Sequence, residues 1–257
     1  MEKSAVAVKA VRRPFYRRDP LTSISLVALV FLASQIAAGV LIAIYPAFKN
    51  WTADQGADWL QTSVVAQFIY ILLAELFAVW LIFKLLNRAK IAKARIGIVK
   101  PALKDILYAA AGYLVYLVTL TVIVALITMY TNFLNTDQPQ DIGFDGAAGS
   151  QLYLVFLSLV VLPPIAEEIM FRGFLFSSLR QKFRFRYAVI ATSVLFGIAH
   201  LQFGNGAPLL WTAAIDTFIL SCVLCYLREK TGSLWPSILL HALKNCIAFF
   251  VLFRLKF

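Results

Sequence analysis

Hydrophobic and polar positions along this chain segregate into blocks much longer than one face of a helix or strand requires. Apolar runs recur at about 21 to 46, 63 to 83, 106 to 130, 151 to 178, 187 to 203, 208 to 227 and 234 to 255. Each approaches or exceeds about 20 residues, the length that carries a helix across a hydrocarbon core of roughly 30 Å. The pattern predicts an all-α fold: a polytopic transmembrane helix bundle of about seven spans. The connections are short and polar except for 131 to 150, "TNFLNTDQPQDIGFDGAAGS", which is rich in turn formers. That loop divides the chain into a basic N-terminal segment (1–20), three spans (21–150) and a four-span core (151–257). No internal repeat is visible. The first apolar run exceeds a signal-peptide core and reads as a permanent span.

Composition agrees, with 61% of the 257 residues hydrophobic and 14% charged. The net charge of +11 would suit nucleic acid if the bases formed one patch, but they are parcelled between spans. Six Lys and Arg lie in 1 to 18, seven in 84 to 104, four in 180 to 186, and two at Arg228 and Lys230. These 19 of 24 share one side if the spans alternate, which by the positive-inside bias is the cytoplasm. The expected setting is therefore the plasma membrane with a cytoplasmic N-terminus, the lipid bilayer as partner and no nucleic acid. An odd number of spans leaves Arg254 and Lys256 on the other side, so the last span is expected to be partial or bent. Cys222, Cys225 and Cys246 lie inside apolar spans and read as packing residues.

Ionisable residues inside spans concentrate in the second half of the chain. The first three spans hold Glu75; the last four hold Glu167, Glu168, Arg172, His200, Asp216, His241 and Lys244, with Asn245 beside them. Each such charge costs at least about 2.5 kcal/mol to insert, so it tends to face the bundle interior and to mark function. Glu75 and Asp216 read as acids that lock two helices, and Lys244 as a side chain near a helix end that snorkels.

In "EEIMFR", Arg172 stands one turn from Glu168 and can neutralise it, while Glu167 points about 100° away. In "HALKN", His241 and Asn245 share a face, as do Phe196 and His200 in "FGIAH". At 1.5 Å per residue, Glu167, His200 and His241 each lie roughly 17 to 20 Å above the cytoplasmic ends of their helices, so three antiparallel spans bring them to one level. Pro163 and Pro164 remove amide donors, so a fresh helix is expected near Pro163, with Glu167 and Glu168 in or just after its first turn; a simple kink is the bland alternative. Irregular backbone at this depth is tolerated where it lines a wet cavity.

A glutamate can take a proton from water, a neutral imidazole can orient that water, and Asn with a second His can donate to the oxyanion formed at a peptide carbonyl. The same Glu167, His200 and His241 can instead serve as zinc ligands with one position open, and the sequence leaves both schemes standing. Ser193 lacks the surroundings of a nucleophile elbow.

"EEIMFR", "FGIAH" and "HALKN" resemble, in order, the EExxxR, FxxxH and HxxxN motifs of the CPBP family of intramembrane proteases, which is similar to the type 2 CAAX prenyl endopeptidases and includes bacteriocin-processing and immunity proteins. The resemblance covers about 151 to 250. It implies that Glu167 activates a water with His200, that His241 and Asn245 bind the oxyanion or help to hold the water, and that Glu168, Arg172 and Phe196 support the site. It also implies a membrane-associated peptide or protein substrate, by either a metallo or a metal-independent glutamate mechanism. The familiar architecture has eight spans, whereas 12 residues follow Asn245 here. Two other functions compete: a non-enzymatic bacteriocin-immunity or partner-binding membrane protein that keeps the motifs as a polar core, and a proton-coupled carrier using Glu and His as a relay. The carrier is disfavoured by the absence of paired hydrophobic halves.

Overall fold

The computed structural model describes residues 19–131, 133–135, 138, 140, 142–201 and 208–253. Most of the basic N-terminal segment, Asp137, Asp141, Arg254 and Lys256 lie outside the described residues. Among the described residues, six helices are long and apolar enough to cross a membrane: α1 (Pro20–Ile42), continued by the short α2 (Ile44–Phe48), α4 (Val64–Arg88), α5 (Leu103–Tyr130), α6 (Gln151–Leu179), α8 (Trp211–Thr231) and α9 (Trp235–Phe253). A short α3 (Ala53–Thr62) precedes α4, and a shorter apolar helix, α7 (Phe185–Ile198), occupies the expected fifth position. No strand occurs among the described residues.

Local chemistry sets several of these boundaries. Pro20 opens α1, where a missing N–H goes unneeded. Thr52 caps α3 through a reciprocal pair of bonds with Gln55, and Ser63 accepts from the Ala66 amide to start α4. Gly232 ends α8 in the left-handed conformation. Gly97 is also left-handed, at φ 90°, and a Cβ there would lie 2.7 Å from Arg228 Nε. Its carbonyl accepts from the Leu234 amide at 2.9 Å, Arg228 Nη2 donates to the Arg95 carbonyl at 3.1 Å, and Trp235 Nε1 to the Val99 carbonyl at 2.7 Å. These bonds stitch the basic 93–99 segment onto the turn between α8 and α9.

The core is built around α6. Half of the apolar stretches of α6 and α8 is buried inside the protein, against 11% for α5, so the first two form the centre and α5 the periphery. Phe174, Leu175, Phe176 and Leu179 of α6 pack on Ile82 and Leu86 of α4, Val27 and Val30 of α1, and Ala188 and Phe196 of α7. Exposed Leu, Ile and Val side chains line the outer faces of α1 and α5, as lipid contact requires.

α6 departs from a regular α-helix twice, with π-helical turns at Leu157–Val161 and Ile169–Phe176. Between them an α-helical segment, Leu162–Glu168, begins next to the proline pair. A new helical segment therefore does start at this point, but without a break: the chain absorbs the lost donors by widening one turn, and the Leu162 amide bonds the Leu157 carbonyl five residues back. α7 also ends earlier than its apolar run suggested, which leaves His200 in a turn whose amide bonds the Gly197 carbonyl.

α7 and α8 lie against each other with almost no clearance. A Cβ on Gly197 would sit 2.8 Å from the Ala214 carbonyl oxygen, which is backbone and cannot swing away. Gly197→Ala is expected to destabilise the bundle by about 1 to 3 kcal/mol through overpacking. Gly39→Ala on α1, where nothing lies within 4 Å, is expected to be neutral or slightly stabilising. Thermal unfolding in detergent checks this contrast, and equal midpoints for the two variants would contradict the close packing of α7 on α8.

Candidate active site

The site starts with two adjacent glutamates that α6 sends in different directions. Glu168 is fully buried and accepts a 2.8 Å bond from Arg172 Nη1, itself fully buried. The predicted one-turn pairing is thus present. Glu167, about 100° further round, faces a cavity and keeps 20% of its side chain accessible. Its Oε2 has no hydrogen-bond partner among the described residues.

α9 brings His241 against both carboxylates. Its Nδ1 lies 3.1 Å from Glu168 Oε1, and because a carboxylate only accepts, the ring carries its proton on Nδ1. Nε2 stands 4.0 Å from Glu167 Oε2 and is a lone pair when the ring is neutral. His200 is set the same way: its Nδ1 lies 2.8 Å from the Phe196 carbonyl, which again fixes the proton on Nδ1 and leaves Nε2 as an acceptor. Phe196 is fully buried and joins the group together. The Arg172 guanidinium lies over its ring at 4.3 Å, the His200 ring stands 4.7 Å away, and the His241 ring meets it edge-on at 5.9 Å.

Glu167, His200, His241 and Asn245 line one cavity of about 220 Å³, together with Leu159 and Pro163 of α6 and Asp216 and Lys244. All four expected chemical groups thus share a single space, while Glu168, Arg172 and Phe196 stand behind its wall. Asn245 Nδ2 donates to the Leu159 carbonyl at 2.9 Å. Lys244 does not snorkel: its ammonium bonds Asp216 Oδ2 at 3.0 Å, since an acid on the facing α8 neutralises it more closely than distant water would. Tyr116 of α5 donates to the other oxygen of Asp216, so this acid does tie helices together, as expected, but it does so at the cavity wall. The sequence signal for Asp216 and Lys244 was their charge within an apolar span; nothing in the sequence marked Tyr116 as their partner.

The zinc scheme needs three donors converging on a point. The two Nε2 lone pairs, each backed by an acceptor on Nδ1, have suitable chemistry. Among the described residues no group of three His, Cys, Asp or Glu side chains is arranged as a metal site.

The sequence profile of the Rce1-like type II CAAX prenyl endopeptidase family matches residues 149–247. A Bacillus subtilis (strain 168) protein named "Putative membrane peptidase YdiL" is 33% identical over 103 residues, which cover 40% of this chain. The matched region spans 38% of that relative's length. No solved structure matches the chain. The matched interval holds α6 to α9 up to Ile247, and so contains every residue of the three motifs. In this C-terminal part, from residue 149 to residue 247, the chain is similar to the Rce1-like type II CAAX prenyl endopeptidase family.

Proposed function

We propose that this protein is an intramembrane endopeptidase that hydrolyses a peptide bond of a membrane-associated peptide or protein with a water activated by Glu167. The observation that carries the reading is the pair formed by Glu167 Oε2 and His241 Nε2, 4.0 Å apart at the edge of a cavity. Both atoms are acceptors. They are too far apart to bond each other, and Glu167 Oε2 is enclosed without a partner, so the pair calls for a donor such as a water admitted from the cavity.

From that position the chemistry runs in two steps. The water oxygen bonds the peptide carbonyl carbon while Glu167 takes one of its protons, and the carbonyl oxygen becomes an oxyanion. The second Nδ2 hydrogen of Asn245, the one not given to Leu159, is the donor for that oxygen. The carbon–nitrogen bond then breaks and Glu167 returns the proton to the departing amine. His200, with its proton fixed on Nδ1, offers Nε2 as an acceptor for a water or substrate N–H in the cavity. Glu168 and Arg172 act through His241, whose ring they orient.

We place the protein in the plasma membrane with the 1–20 segment in the cytoplasm, on the distribution of 19 of 24 Lys and Arg to one side. The alternative, an immunity or partner-binding protein that keeps the motifs as a polar core, differs in one respect that can be tested: it has no need for an ionised Glu167.

Glu167→Gln keeps the shape of the side chain and removes the base, so peptide cleavage is expected to fall by about 10² to 10⁴-fold with insertion and folding unchanged. Co-expression with a panel of small membrane and leader peptides, read by mass spectrometry, checks this; fragments produced equally by both forms would rule the mechanism out. Arg172→Met leaves Glu168 buried without its cation and is expected to lower stability by about 3 to 5 kcal/mol, measured by denaturation in micelles. A variant as stable as the parent would show that Glu168 does not depend on this pair.

A further inference from the structure

Leu159 lines the cavity one turn before the proline pair, and its carbonyl meets Asn245. In an α-helix the donor to that carbonyl would be the amide of residue 163, and in a π-helical turn the amide of residue 164. Both positions are proline, so neither register supplies a donor. The amide of Leu162, the next candidate, is spent on the Leu157 carbonyl. The carbonyl is reached from another helix instead, by Asn245 Nδ2 at 2.9 Å. A carbonyl only accepts, so this contact also fixes which end of the Asn245 amide faces α6.

We propose that Pro163 and Pro164 are positioning residues: by withholding both backbone donors they reserve the Leu159 carbonyl for Asn245 and hold the Asn245 amide in place at the cavity. One proline would leave an alternative donor in the other register; two close off both. The pair therefore has a local function beyond bending α6, and it links the first motif to the third through a backbone atom instead of through side chains. Its catalytic consequence rests on the peptidase reading, because Asn245 matters to cleavage only if a carbonyl is hydrolysed beside it. The contact itself does not rest on that reading.

The test uses the full chain in lipid bilayers, with Asn245→Ala, the paired Pro163→Ala and Pro164→Ala substitution, and all three changes together. Alanine favours helix at both proline positions, so the paired variant is expected to fold. The carbonyl ¹³C shift of Leu159, followed by solid-state NMR, reads the contact directly. Asn245→Ala is expected to move that resonance upfield in the proline protein and to leave it unmoved in the alanine protein, where the backbone supplies the donor. In cleavage assays the paired proline variant is expected to lose roughly 10 to 100-fold in kcat with KM unchanged, as a misplaced group does. Adding Asn245→Ala to it is expected to change kcat by less than about twofold, because coupled residues do not act additively. A Leu159 resonance indifferent to Asn245 in the parent protein overturns the proposal, as do proline and Asn245 effects that multiply. If the parent cleaves nothing, the peptidase reading fails, and the Leu159 resonance alone decides whether the prolines hold Asn245.

Discussion

A carboxylate and a guanidinium, each without solvent exposure, lie at the centre of an apolar helix bundle, and the site is organised around their need for each other. Neither Glu168 nor Arg172 is tolerable alone at this depth, so α6 is rotated until both face inward. That rotation sends Glu167, the next position round the helix, into the cavity. The remaining bonding capacity of Glu168 Oε1 is taken by His241 Nδ1, which orients the ring and fixes its tautomer. The flat face of Arg172 rests on Phe196, whose carbonyl orients His200. Buried ion pairs contribute little net stability compared with well-packed apolar side chains, so the role of this one is better read as orientation. The three motifs are in this sense one structure: each supplies the partner that another leaves unsatisfied.

The backbone of α6 carries the second constraint. In lipid every free amide or carbonyl costs several kcal/mol, and a proline in a helix interior costs about 3 kcal/mol or more. Two successive prolines in the central helix would be hard to keep if their only effect were a bend. The costs are offset in two ways, by π-helical pairing of Leu162 with Leu157 and by the side chain of Asn245 on Leu159. The same widening keeps Pro163 and Leu159 in the cavity wall, beside Glu167.

The spans were legible in the sequence because hydropathy and length are one-dimensional properties, and the lipid demands both. The meeting of Glu167, His200 and His241 was legible for a related reason: depth along a helix can be counted when the membrane fixes the ends. What could not be counted was rotation and tilt. Lys244 looked free to snorkel because its distance from a helix end is visible in the sequence, whereas the approach of Asp216 from α8 is not. His200 looked helical because "FGIAH" continues an apolar run, yet α7 stops at Ile198, and the turn that follows lets the ring fold back onto the Phe196 carbonyl. The proline pair announced irregular backbone, but the choice between a break and a widened turn depends on which donors lie across the interface.

The fixed tautomers also bear on which of the competing functions the site suits. A histidine that conducts a proton through its ring must exchange at both ring nitrogens, releasing from one as it receives at the other. Here Nδ1 of His241 is committed to Glu168, and Nδ1 of His200 to a backbone carbonyl that cannot receive a proton. Each ring can therefore work only at Nε2, as an acceptor facing the cavity. Two such acceptors and a carboxylate around one small space call for donors, and water is a neutral species that can bridge two of them, Glu167 and His241, at 4.0 Å. A carrier would need those groups to hand protons onward, whereas a hydrolase needs them to hold one water still beside a base. The arrangement fits the second requirement because each imidazole has its far nitrogen tied down.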